Sequence, residues 1–404
     1  MPRLDTFGSQ PPLELIRQWM DYQFWYDRQK IEPNYIQDLQ VISSMGKPGG
    51  GRAEISPRIV SKFHLINYTV PSELNMKKIF ETIATFKFQV FDEEIKNLSE
   101  PFAVSTIALF NLIQEHFLPT PAKSHYVYNM RDVSKVFQGL YQADKNFYEG
   151  KEHIIKLWAH EVLRVFADRL NSLADRDQFK GFLNEQMESQ FQMNYAEHAT
   201  TNGEDSIFVD FLNENMKIYE AVADFAKLRE YLNEKLVEYN QMPKVSKMDL
   251  VLFKDAITHV AKIYRVLNLK RGHAFLVGVG GSGRHSLTRL SAFISEMKVY
   301  QLEVTKGFGL KQFREKLKEM YEWAGYRGKD KLKTTFIFAD NDVVSESFLE
   351  DIQNMLNGGV VPNIYTNDEL NVVREGVKRL FKKWAQGQEG VVETPEALLE
   401  FFYN

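Results

Sequence analysis

The 404-residue sequence contains no cysteine. Disulfides and thiolate metal sites are therefore excluded, and the composition fits a reducing compartment. No apolar run approaches the roughly 20 residues of a membrane-spanning helix. Met1-Pro2-Arg3 leads into a polar stretch instead of the apolar centre of a secretory signal. Charge of one sign is also lacking. Lys and Arg number 50 against 54 Asp and Glu, and the net charge of −4 gives no electrostatic case for a nucleic-acid binder. His-x-Glu and His-Glu-x-x-His spacings do not occur, the nine histidines are scattered, and no internal repeat recurs at a fixed period. What is present is core-forming material: 44% of residues are hydrophobic and 13% aromatic. That excludes wholesale disorder, and the length suits about two or three domains.

Three regions separate along the chain. Residues 1–70 combine a helical segment, Pro12 to Met20, with two strand-like runs, Leu39 to Ser44 and Phe63 to Val70. Between those runs lies the loop Gly46-Lys47-Pro48-Gly49-Gly50-Gly51-Arg52. Residues 71–240 read as almost entirely helical, with apolar residues at helical spacing in 102–117, 133–141, 154–173 and 208–239. The polar stretch 196–205 reads as an internal linker. After Pro243 comes a helical stripe from Leu250 to Leu267, and then strand and helix alternate. Strands are expected at 274–279, 299–304 and 334–339, and helices at about 284–297, 309–324 and 345–356. Buried strands joined by crossover helices predict a parallel α/β sheet.

The first of these strands runs into Gly278-Val-Gly-Gly-Ser-Gly-Arg-His-Ser286. A glycine-rich turn at a helix N-terminus presents backbone N–H groups that can surround a phosphate. A plain tight turn would need fewer glycines. A dinucleotide fingerprint is a rival, because Gly278-x-Gly280-x-x-Gly283 fits G-x-G-x-x-G and Glu303 lies about 20 residues further on. Glu303, however, sits inside an apolar run instead of closing its strand. An altered P-loop is favoured, because it expects a second apolar strand ending in aspartate, and Thr334-Thr-Phe-Ile-Phe-Ala-Asp340 supplies one. Candidate nucleotide-binding residues are Gly278, Gly280, Gly281, Ser282, Gly283, Arg284, His285 and Ser286. Arg284 keeps a positive charge where the motif has lysine, with a bulkier planar head. His285 replaces the hydroxyl that usually holds Mg²⁺, Ser286 is a substitute for it, and Asp340 would reach Mg²⁺ through water. Asn341 stands where a glutamate would polarise attacking water, and an amide cannot act as that base. No catalytic residue is therefore assigned. Glu346 follows closely but reads as an acid at a helix N-terminus.

Gly278–Leu290, followed by Phe336-Ile-Phe-Ala-Asp-Asn-Asp342 and Ser345–Asp351, resembles the fourth AAA+ module of a dynein heavy chain, most closely the axonemal type. Phe7–Trp19 and Met45–Arg52 are similar to the back half of the large subdomain of the third module, and Tyr128–Gly139 to its helical lid. The resemblance implies an α/β plus all-α chain. Residues 1–70 would be the end of the third module's large subdomain, 71–195 its lid, 196–243 a helical connector, and 244–404 the truncated P-loop domain of the fourth module. By the same resemblance Arg58, or alternatively Arg52, is an arginine finger directed at the second module. Arg131 is a sensor-two arginine, for which pairing near Asp132 or the helix end is the structural alternative.

Further expectations follow from the resemblance. It implies ATP or ADP with Mg²⁺ at a regulatory site of weak or no hydrolysis, in an ATPase motor family that drives microtubule-based ciliary movement. Partners would be neighbouring AAA+ modules of the same heavy chain, intermediate and light chains, and microtubules, with no nucleic acid or membrane. The location would be cytoskeletal, in the ciliary axoneme. The chain would be a fragment of a heavy chain. The alternative is a structural ring segment whose site is an empty relic, and an oxidoreductase reading of the glycine loop becomes remote.

Overall fold

The computed structural model describes residues 5–46, 54–213, 217–243, 245–269, 271–327, 333–386 and 392–403. The chain divides into two compact units, Met1–Ser72 and Glu73–Asn404.

In the first unit, helix α1 (Pro11–Tyr22) starts on two prolines, whose fixed φ suits a first helical turn. It stops at Gln23, which adopts φ 59° and returns its N–H to the Trp19 carbonyl. Strands β1 (Phe24–Tyr26) and β2 (Pro33–Tyr35) then pair antiparallel. Trp19 is the anchor of this unit: it is buried and donates Nε1–H to the Ile36 carbonyl at 3.1 Å. Helix α2 (Pro57–Val60) buries Ile59. The strands expected at 39–44 and 63–70 do not form. Ile42, Leu65, Ile66, Tyr68 and Val70 are exposed, and no strand pairs with either segment among the described residues. An apolar run becomes a strand only when a neighbour accepts its backbone hydrogen bonds.

The described residues of the second unit form three hydrophobic cores. The first is helical: α3 (Glu73–Phe88), α4 (Glu93–Lys96), α5 (Ser99–His116), α6 (Met130–Leu140), α7 (Lys151–Phe166), α8 (Leu173–Phe191) and α9 (Tyr195–His198). Phe102, Trp158, Phe166 and Phe179 are fully buried there. The Trp158 N–H donates to Thr106 Oγ1 at 2.9 Å, and that hydroxyl donates to the Phe102 carbonyl, so neither polar group is left unpaired. The helical run expected over 154–173 is broken by a 3₁₀ turn at Ala167–Arg169.

Two expectations for the following stretch are corrected. The supposed linker 196–205 is ordered into α9 and a hairpin, β3 (Thr200–Thr201) with β4 (Glu204–Asp205). Its turn is Asn202-Gly203, both at positive φ, the geometry a two-residue hairpin favours. Nor is 196–243 a continuous helical connector. Residues 208–224 contain β5 (Phe208–Val209) paired antiparallel with β6 (Glu220–Ala221), and only α10 (Phe225–Gln241) is a long helix. Because side chains alternate along a strand, Phe208 enters the first core and Val209 the second.

The second core packs α10 against α11 (Lys254–Asn268) and α12 (Arg284–Ile294). The third holds β7 (Lys298–Gln301), α13 (Leu310–Glu322), β8 (Thr334–Ile337), α14 (Glu346–Gly358), α15 (Asn367–Ala385) and α16 (Pro395–Tyr403). Strands β7 and β8 run parallel with Val299 opposite Thr335, and Phe313 stacks on Phe348 at 4.2 Å. The expected parallel sheet is thus present as one pair. Segment 274–279 is not a strand: Phe275, Val277 and Val279 are 91%, 80% and 79% exposed, and no described strand lies beside them. The helices fall close to the expected positions because their apolar stripes find partners locally.

Candidate functional site

The glycine segment leads directly into α12. Gly281 and Gly283 adopt φ of 79° and 77°, a region that favours glycine, and Gly283 is the residue that caps the helix. Its carbonyl accepts the Leu287 N–H at 2.8 Å, and the Ser282 N–H reaches the Val279 carbonyl at 3.3 Å. At Gly278 a side chain would be crowded: an added Cβ would lie 3.2 Å from Ser282 Oγ and 3.8 Å from Arg284 Cδ. The turn therefore keeps its backbone bare where it folds over the head of α12. Arg284 is half-buried and donates from Nη2 to the Val279 carbonyl at 3.3 Å, lying back across the turn. His285 is exposed and Ser286 half-buried.

Leu287 and Leu290 bury the other face of α12 in the second core. Its orientation is set by two bonds. Arg289 Nη2 donates to Gln301 Oε1 at 2.6 Å at the far end of β7, while the Met297 N–H, just before β7, returns to the Ala292 carbonyl. Helix α12 thus runs antiparallel to β7. The glycine turn and the C-terminal ends of β7 and β8 consequently lie towards the same edge, where parallel α/β structures place ligands. Asp340 follows β8 at that edge and is exposed, as is Asn341. The neighbouring Asp342 is buried and accepts the Ala339 N–H at 2.8 Å, so it closes the local turn and leaves Asp340 uncommitted to that role. Glu346 is the first residue of α14, an acid at a helix N-terminus as expected. Among the described residues no group of three or more His, Asp or Glu side chains is arranged to hold a metal ion, and no helix is long and apolar enough to cross a membrane.

The candidates elsewhere are placed as follows. Arg58 is exposed at the start of α2, its N–H held by Ser56 Oγ at 3.3 Å. Arg52 lies outside the described residues. Arg131 is exposed in the first turn of α6. The ion pair considered near it goes to other partners: Asp132 accepts from Arg169 at 2.9 Å and from Lys135 at 3.1 Å. Arg131 on α6 and the glycine turn before α12 belong to the larger unit, whereas Arg58 belongs to the smaller one.

A further polar cluster escaped the sequence reading. Glu161 on α7 is fully buried, and its Oε2 accepts from Arg164 Nε at 3.0 Å and from Arg265 Nη2 on α11 at 2.6 Å. Its Oε1 accepts from the Tyr219 hydroxyl at 3.1 Å, and the Arg265 guanidinium also lies 5.1 Å from the centre of the Tyr219 ring. Burial would raise the Glu161 pKa, but Arg164 and Arg265 outweigh it and hold the carboxyl below its ordinary value. Beside it, burial pushes His160 down to about 4 against the opposing pull of Glu161. Its Nδ1 lies 2.9 Å from the Ser206 carbonyl and its Nε2 3.0 Å from the Tyr219 hydroxyl. The missed signal was a charged residue on an apolar stripe, Ile154, Leu157, Trp158, Glu161, Val162, Val165, where solvent is not available.

Three family profiles match the chain. Residues 1–71 match a P-loop containing dynein motor region, 76–176 the dynein heavy chain ATPase lid domain, and 248–404 the P-loop containing dynein motor region D4. Dynein axonemal heavy chain 2 of Mus musculus is 45% identical over 378 residues, covering 93% of this chain and 8% of that protein. The Dynein-1-beta heavy chain of the flagellar inner arm I1 complex of Chlamydomonas reinhardtii is 42% identical over 404 residues, covering 99% of this chain and 9% of that protein. Dynein axonemal heavy chain 1 of Mus musculus is 40% identical over 388 residues, covering 92% and 9%. The chain thus spans less than a tenth of the length of these curated relatives. With a lid region, a glycine turn heading α12 and motor-region matches over most of its length, the chain belongs to the dynein heavy-chain family.

Proposed function

We propose that this chain works as part of the AAA+ motor ring of an axonemal dynein heavy chain and holds ATP or ADP at a regulatory fourth-module site with weak or no hydrolysis. The observation that carries this reading is the bare glycine turn capping α12, with Arg284 lying across it. Its left-handed glycines and the N-terminal amides of α12 suit a phosphate group. Arg284 would release the Val279 carbonyl and turn to the phosphates. Where Mg²⁺ accompanies the nucleotide, Ser286 and Asp340 would hold it, the latter through water, and the ion would supply charge neutralisation between phosphates. Asn341 cannot accept a proton from attacking water, which favours holding over cleaving.

In this reading residues 1–70 and 71–195 serve the third module, 196–243 join it to the fourth, and 244–404 carry the site. Arg131 would serve as a sensor and Arg58, or Arg52, as a finger towards the second module. Neighbouring modules of the same heavy chain would be the immediate partners. Intermediate and light chains and microtubules would be engaged through the whole motor in the ciliary axoneme, a place that accords with the word axonemal in the names of several relatives.

The test is nucleotide-dependent thermal stability. Ligand at about 100 times its Kd should stabilise the native chain by about 2.7 kcal/mol. ADP and ATP, with and without Mg²⁺, are expected to raise Tm, Arg284→Ala to remove most of the rise, and NAD to give none. No shift with any nucleotide, or a shift unaltered by Arg284→Ala, would favour the structural segment with a relic site. In the same samples ATP is expected to remain largely intact.

A further inference from the structure

The first and second cores of the larger unit meet at the short β5–β6 ladder, and the cluster around Glu161 spans the same junction. Glu161 belongs to α7 and Arg265 to α11, 104 residues apart in sequence. A buried ion pair is weak evidence for stability, since desolvation offsets much of its attraction; its better-attested role is to specify one arrangement over others. This pair is also sparsely bonded on the arginine side. Arg265 is 6% exposed, yet its Nε and Nη1 have no hydrogen-bond partner among the described residues. Only Nη2 and the face on Tyr219 hold it. A second link between the same layers, Lys262 to Asp168 at 2.6 Å, is substantially exposed and correspondingly weak.

Contacts continue in both directions from the pair. Towards α6, an added Cβ at Gly139 would sit 2.0 Å from Glu161 Oε2, so only glycine lets α6 pack directly against the carboxylate. The first turn of α6 carries Arg131. Towards the other side, α11 is knitted to α12 by polar bonds within an apolar interface. Ser291 Oγ shares its single proton between the Leu287 carbonyl of its own helix at 2.8 Å and the Val260 carbonyl at 3.2 Å, and Asn268 Nδ2 donates to Ser295 Oγ at 3.0 Å. Helix α12 begins at the glycine turn.

We infer that the buried Glu161–Arg265 pair is a conformational tie through which the α6–α7 layer holds α11, and with it α12 and the glycine turn at its head. The tie makes the Arg131 end of α6 and the glycine turn share one equilibrium. Two discrete arrangements are available to such a pair, joined or parted, because a half-separated buried pair has neither water nor its partner. The inference goes beyond nucleotide binding and does not need it, because the state of α12 can be read directly.

Amide hydrogen exchange of the whole chain without nucleotide tests it. Arg265→Met cuts the tie, whereas Arg164→Met removes the other cation from Glu161 but lies on the same helix and joins no layers. Arg265→Met is expected to speed exchange at Leu287–Leu290 by about tenfold or more relative to the amides of α14 and α15. Arg164→Met should leave that ratio within about twofold of the parent. Equal acceleration by both variants, or none by either, overturns the inference. Should Arg265→Met fail to fold, Glu161→Gln keeps the side-chain volume; it is expected to speed the same α12 amides, and unchanged protection there overturns the tie.

Discussion

His160 is the residue whose protonation should be most visible from outside the molecule. Burial holds its folded-state pKa near 4, below the ordinary value of 6.5. Between those values the unfolded chain binds a proton that the folded chain does not, so stability is present at higher pH and falls as pH drops through this window. Glu161, held below its ordinary value of 4.5, contributes in the same direction but at lower pH, below that value. The interval from pH 6.5 to 4.5 therefore isolates the histidine. The parent is expected to lose about 2 kcal/mol more than His160→Gln across that interval, measured by urea denaturation. Equal slopes would mean that the folded chain binds that proton as readily as the unfolded one.

Among the elements, α15 and the turn after α13 give a test in which two rules predict opposite signs. Residues Trp323–Arg327 form a π-helical turn, and Tyr326 from that turn lies against Gly376 in the middle of α15. Helix propensity alone makes Gly376→Ala stabilising by about 1 kcal/mol. An added Cβ, however, would lie 2.6 Å from the Tyr326 ring and 2.9 Å from its Cγ, so the ring or the helix must shift. We expect net destabilisation of about 1–3 kcal/mol by chemical denaturation; a gain would show that the ring yields freely. The same locality explains what could be read from the chain beforehand. Helices α5, α6, α11 and α12 were legible because their apolar stripes recur every three or four residues. The strands at 39–44, 63–70 and 274–279 were not, because a strand depends on a partner that its own residues do not specify. At Asn202-Gly203 a strong hairpin signal was present but was submerged in polar composition. The turn into α12 was legible from its glycines, since Gly281 and Gly283 take the positive φ that the spacing implied. Glu161 was not, since its partner Arg265 is on another helix far along the chain.

At the scale of the whole molecule, exposed apolar surface is the feature that will govern behaviour in solution. Phe275, Val277 and Val279 present alternate side chains to solvent immediately before the glycine turn. Such a row attracts apolar dyes and other chains. The chain is expected to bind an anilinonaphthalene dye while its near-ultraviolet circular dichroism stays native. Replacing all three by Thr should reduce the bound fluorescence severalfold with little change in Tm, whereas unchanged fluorescence would locate the dye elsewhere. The β5–β6 ladder has an effect of a different kind. Phe208 and Val209 are adjacent, yet each completes a separate core. Slipping that ladder by one residue would send the ring into the second core and the valine among the first core's aromatics. Two residues thus act as an alignment key for more than a hundred on either side. A single-residue insertion there would be felt in two cores at once, although the ladder itself is among the smallest elements in the molecule.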